Sequence, residues 1–92
     1  MRVKFHGRAI KFLERLDEKD KERIRLKIKS LVTTIESQGI IPFKELDIKR
    51  LEGEWKGFLR MRTGRIRVIF RIQKEDNLLF VYEIDHRGDV YK

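Results

Sequence analysis

Cysteine is absent from the 92 residues, which removes disulfides, thiolate metal sites and a cysteine nucleophile together. Histidine occurs twice, as His6 and His86, with no paired or helical spacing, so neither a metal nor another cofactor is expected. No apolar run approaches the roughly 18 residues of a membrane-spanning helix, and residues 1–5 lead directly into charged sequence without a signal-peptide pattern. A cytoplasmic chain with no membrane partner is the expectation. Gln38, Gln73 and Asn77 are the only side-chain amides, while 41% of the residues are charged, a balance typical of hyperthermophile proteins.

What the chain has in excess is positive charge: 23 Lys and Arg against 15 Asp and Glu leave a net charge of +8. A domain this small and this basic associates with polyanions, of which RNA and DNA are the usual ones. The charge is spread along the chain with no strong apolar face left for lipid insertion, which disfavours a membrane surface. The length allows one domain, residues 1–92, with a single modest core.

The most specific geometric prediction comes from residues 55–71, WKGFLRMRTGRIRVIFR, which read as a β-hairpin. Two alternating runs, 55–62 and 65–72, flank Thr63-Gly64, where glycine supplies the positive φ of a tight turn. That turn would place Arg60 opposite Arg67, Phe58 opposite Ile69 and Lys56 opposite Arg71. Alternation then gives the other face to Trp55, Leu59, Met61, Ile66, Val68, Phe70 and Ile72, a continuous apolar surface fit to cover a core. The basic face carries Arg60, Arg62, Arg65 and Arg67. Like charges across a strand pair repel, so such a cluster is offset by acidic side chains or a bound phosphate chain, or it is a solvated thermophilic surface.

The remainder reads as support for this hairpin. Residues 1–5 alternate as a short strand with Val3 and Phe5 inward. Ala9, Ile10, Phe12, Leu13 and Leu16 recur at helical spacing, and Asp17 caps a second helix whose stripe is Ile24, Ile28, Leu31, Val32 and Ile35, ending near Gly39. Pro42 and Gly53 punctuate a connection with a short helical turn around 43–48. Residues 78–84, LLFVYEI, form a strand covered on both faces, and Glu83 and Asp85 alternate onto one face, where they can balance the arginines. The fold class is α+β: an N-terminal strand, a two-helix hairpin, then a three-stranded antiparallel sheet segment.

The order and spacing of these pieces resemble the RelE family of bacterial and archaeal toxins, within the RelE/ParE superfamily. The resemblance rests on Leu51-Glu52-Gly53, the strand FLRMRTG, the run from Gly64 to Phe70 with arginine at 67, and the ending His86-Arg87-Gly88-Asp89-Val90-Tyr91. It implies a β-α-α-β-β-β fold and a ribosome-dependent endoribonuclease that cuts mRNA in the A site and is held inactive by a cognate antitoxin. The family's basic strand residues, often lysines, correspond to Arg60 and Arg62, the arginine after the turn to Arg67, and the tail pair to Arg87 and Tyr91. Arginine in place of lysine is a departure, because a guanidinium clamps phosphate bidentately but gives up a proton reluctantly.

Metal-free RNA cleavage needs a base for the 2′-hydroxyl, cations for the phosphorane and an acid for the 5′-oxygen. Arg60, Arg62, Arg67 and Arg87 are candidates for holding the phosphate; Tyr91 either stacks on a base or takes a proton; His86 is either an acid–base group or a packing residue. Lys56 and Arg65 are assigned to mRNA or rRNA backbone. His6 is assigned a structural role, and Trp55 to the core or an interface. The alternatives are a gyrase-directed toxin of the ParE branch and a non-catalytic RNA-binding module.

Overall fold

The computed structural model describes residues 1–86. The apolar run near the end of that span becomes Leu78–His86 (β5), which pairs antiparallel with Ile66–Gln73 (β4) and parallel with Arg2–Phe5 (β1). On its other side β4 pairs with Leu59–Thr63 (β3), and β3 with Ile48–Arg50 (β2), giving the order β1-β5-β4-β3-β2. With β1 on one side and β4 on the other, β5 has both edges paired, but it is not covered on both faces as expected: Leu79, Val81 and Ile84 are buried under the helices while Phe80, Tyr82 and Glu83 are half-buried. The strand β2 is an addition to the expected architecture. The helical turn expected around 43–48 is a turn over 43–47 that delivers the chain into this three-residue edge strand.

Two helices cover one face of the sheet. In Gly7–Arg15 (α1), the cap is His6, whose Nδ1 accepts from the Arg8 N–H at 3.1 Å. Asp17 caps Glu18–Gln38 (α2) as expected, accepting from the Asp20 N–H at 2.8 Å, with Glu18 and Asp20 favourable beside the positive helix end. The helix stops at Gly39, whose φ of 67° is the left-handed conformation that glycine adopts without strain. Ala9, Ile24, Ile28 and Leu31 meet Leu59, Met61, Ile66, Val68 and Phe70 from the hairpin and Leu79, Val81 and Ile84 from β5. Burying a side chain such as Phe70 or Met61 contributes about 1.5–3 kcal/mol. Ile10, expected in this core, is 45% exposed. The α1 stripe runs through Ala9, Phe12 and Leu13, and Ile10 falls to one side of it.

The hairpin keeps its predicted faces but not its predicted register. Thr63 pairs with Ile66, so the two-residue loop is Gly64-Arg65 rather than Thr63-Gly64, and Arg60 lies opposite Ile69 while Arg62 lies opposite Arg67. The slip is two residues, an even number, and therefore leaves every side chain on its own face. The upstream end departs further. Gly53–Trp55 form a 3₁₀ turn and Gly57 has a φ of 95°, so the strand begins only at Leu59. Lys56 consequently lies in a connection and does not pair with Arg71, and Phe58 does not pair with Ile69.

Candidate nucleic-acid interface

The sheet face turned away from the helices carries the arginines. Arg62 and Arg67 stand directly opposite each other on β3 and β4, and Arg67 stands opposite Asp85 on β5. Arg67 donates from Nε to Asp85 Oδ1 and from Nη2 to Asp85 Oδ2, both at 3.1 Å, a bidentate pair. On the other flank Arg62 donates from Nε to Asp47 Oδ2 at 3.1 Å, and Arg60 Nη1 lies 3.7 Å from Asp47 Oδ1. Across the strands the face therefore reads carboxylate, guanidinium, guanidinium, carboxylate. The like-charge pair in the middle is held by an acid on each side.

Asp47 reaches this position through the local chain. Pro42 starts a turn in which the Leu46 N–H donates to the Pro42 carbonyl at 3.1 Å and the Ile48 N–H to the Phe43 carbonyl at 2.7 Å. The turn leaves Asp47 with a φ of 52°, a left-handed conformation that aspartate tolerates better than most residues. Its carbonyl accepts from the Arg62 N–H at 3.2 Å, one bond beyond the β2–β3 ladder. From α2, Lys27 Nζ donates to the Arg62 carbonyl at 2.7 Å. Partial burial pushes the Asp47 carboxyl upward, but the Arg62 hydrogen bond and the charges of Arg62, Arg60 and Lys27 outweigh it and hold the group below the usual aspartate value.

Arg60 and Arg67 are 7% and 9% exposed, too enclosed for a solvated charge fringe. Isoleucine 69, opposite Arg60, is buried beneath them at 1%. Cations held this firmly stabilise an anion with little reorganisation, which is the property a phosphate site needs. Arg60, Arg62 and Arg67 are thus brought together as the alternation implied. Arg65 sits at the exposed loop and Lys56 in the exposed connection before β3. His86 is opposite Ile66, with its ring 5.1 Å from that of Phe12 on the helix side, so the structure does not bring it to the arginines. Arg87 and Tyr91 lie outside the described residues. Trp55, whose alternation pointed to the core, instead joins a ring cluster with Phe58 and Tyr82. Asp47 is the site residue that sequence reasoning missed; a lone Asp after Glu45-Leu46, ahead of a basic strand, is a weak signal. Of the two acids expected to balance the cluster, Asp85 does so through Arg67, whereas Glu83 meets Arg8 of α1 at 3.4 Å. No group of histidines and acids suited to a metal ion occurs among the described residues, and no helix there is long and apolar enough to cross a membrane.

A family model described as the ParE toxin of the type II toxin–antitoxin system parDE matches residues 3–91. The chain belongs to this toxin family. Its relatives place the toxin with the RelE group: RelE1 of Methanocaldococcus jannaschii is 31% identical over 90 residues, covering 98% of this chain and 93% of that one. The RelE of a RelE–RelB complex from Pyrococcus horikoshii superposes with a TM-score of 0.70 at 28% identity, covering 95% of this chain and 94% of the other. YafQ of Escherichia coli shares the fold at a TM-score of 0.64 and 17% identity, over the full length of both chains. The toxin therefore has the RelE fold of two helices on a five-stranded mixed sheet.

Proposed function

We propose that this toxin is a ribosome-dependent endoribonuclease that cuts mRNA in the A site by metal-independent attack of a 2′-hydroxyl on the adjacent phosphorus. The observation that carries the reading is Arg62 facing Arg67 across the hairpin, each anchored by a carboxylate, with Arg60 beside them. These three guanidiniums hold the scissile phosphate and stabilise the dianionic phosphorane, which carries more charge than the ground state and gains more from fixed cations. The 2′-oxygen forms its bond to phosphorus and passes its proton to a base, while the 5′-oxygen leaves and is protonated. The products are a 2′,3′-cyclic phosphate and a 5′-hydroxyl end. By resemblance, Arg87 joins the phosphate contacts and Tyr91 orients the nucleotide. Lys56 and Arg65 add backbone contacts to mRNA or rRNA.

The partner in this reading is a cognate antitoxin. Several relatives were solved as complexes, RelE with RelB and YoeB with YefM among them. A groove between β1 and the helices, lined by Val3, Phe5, Leu13, Ile24 and Ile28 with Lys21 and Lys29, suits an amphipathic segment bearing acids.

The test is primer extension on a defined mRNA translated by 70S ribosomes, using antitoxin-free toxin, Arg67→Ala and Arg87→Ala beside a ribosome-free control. Cuts confined to the A site, requiring ribosomes and reduced about 100-fold by either substitution, are expected. Folded toxin that leaves translated mRNA intact would sink the nuclease reading. The family model's ParE description favours one second reading, a gyrase-directed toxin, and a gyrase supercoiling assay separates the two.

A further inference from the structure

Beside the arginine row, the open sheet face carries five half-buried rings. Tyr82 lies at their centre, with ring centroids 4.8 Å from His6, 5.5 Å from Trp55, 5.6 Å from Phe58 and 6.0 Å from Phe80. Trp55 and Phe58 are 5.4 Å apart and perpendicular. In the trio of Trp55, Phe58 and Tyr82 the planes cross at 63–90°, so no ring there is stacked face to face on another. The Arg71 guanidinium lies over Phe58 at 5.3 Å.

We propose that this cluster is a stacking platform for the bases of a single-stranded RNA whose phosphates lie on Arg60, Arg62 and Arg67. The proposal rests on the reading of the arginine face as a phosphate site and adds where the neighbouring bases go. Phe58 precedes Arg60 by two residues and Arg62 by four, which at about 3.3 Å per residue sets the rings roughly 7–13 Å along the sheet from the cations. That is a spacing on the scale of one or two nucleotides in an extended strand. The pairing register adds Arg2, Lys4, Lys49 and Arg71 to the same face. Its two β5 acids, Glu83 and Asp85, are already engaged with Arg8 and Arg67. Cations interleaved with rings fit a polymer that presents one phosphate and one planar base at every step. An acidic peptide matches the charge but has no planar group at each step.

Trp55 is the only tryptophan in the chain and reports its own contacts by fluorescence. The toxin is titrated with a short 2′-deoxy oligonucleotide, which lacks the attacking hydroxyl, and in parallel with inorganic polyphosphate and polyglutamate of equal charge. The oligonucleotide is expected to quench Trp55 by about half while the two base-free polyanions change it little, and Trp55→Leu should weaken oligonucleotide binding about tenfold with polyphosphate affinity retained. Unchanged polyphosphate affinity also reports that the variant is folded; if it is not, the wild-type fluorescence decides alone. Equal responses to all three polymers, or none to the oligonucleotide, overturn the platform, and a response to polyglutamate alone assigns the rings to an acidic protein instead. Because the probe is not cut, quenching in a toxin that fails to cleave mRNA leaves the platform standing and sinks only the nuclease.

Discussion

Asp47 and Arg62 are joined twice, by a backbone bond of 3.2 Å from the Arg62 N–H to the Asp47 carbonyl and by a side-chain bond of 3.1 Å from Arg62 Nε to the Asp47 carboxylate. The first fixes where the loop meets the strand; the second fixes which way the guanidinium is presented. Asp47→Asn keeps a side chain that tolerates the left-handed backbone and removes only the charge. Affinity for uncleavable RNA is expected to rise about twofold to fivefold as a competing anion disappears. Single-turnover cleavage should fall about tenfold as the arginines lose their alignment. A parallel loss of both would contradict this division of roles.

The same carboxylate gives a pH dependence with a definite sign. Its folded-state pKa lies below the ordinary aspartate value, so its stabilisation is fully present above about pH 4 and is lost as pH falls through the depressed value. Urea midpoints of wild type and Asp47→Asn should differ by a constant amount from pH 5 to 8 and converge in stronger acid.

Asp85 holds Arg67 in a more enclosed pair, with side-chain exposures of 10% for the arginine and 21% for the acid. Asp85→Asn leaves a largely buried guanidinium short of its counter-charge, at a cost of about 2–3 kcal/mol, below the loss for a fully enclosed pair. Chemical denaturation at pH 7 measures it, and a change under 1 kcal/mol would mean that other contacts of Arg67 carry the load.

In the proposed phosphate site, Arg62→Gln would remove one contact and leave a neutral donor. The slope of log affinity against log salt for single-stranded RNA should become shallower by about 0.7. An unchanged slope at lower affinity would place Arg62 away from the backbone.

Alternation carried most of the sheet. Which residues of the hairpin face the helices followed from parity alone, and parity survives an even slip, so Arg60, Arg62 and Arg67 were found together although their partners were misassigned. The slip arose because glycine fits more than one position of a two-residue loop. Gly64, with a φ of 62°, takes the first position. The edge strand β2 was illegible because three residues between turns give no period to read. Trp55 was misplaced because Gly53 and Gly57 interrupt the alternation before the strand begins. Asp47 is illegible in the sequence because its role depends on a contact with Arg62 across fifteen positions, and the turn expected there says nothing of which strand residue it will meet.

Gly64→Ala tests that loop. An added Cβ would meet Arg23 Nη1 only at 3.9 Å, an ordinary contact, so the cost comes from the positive φ and should be about 1 kcal/mol. A fall of roughly 4–8 °C in Tm is expected, and an unchanged Tm would argue against the loop conformation.

The parallel pairing of β1 with β5 also sets an order of events during synthesis. β1 leaves the ribosome before β5 and waits for it, because among the described residues β1 has no other neighbour in the sheet and β5 must sit between it and β4. Until residues 78–86 have emerged from the exit tunnel, Asp85 is not available to Arg67, and the charge row cannot be completed. The carboxylate on the Arg67 side of the row is thus the last part of the face to arrive, with β5.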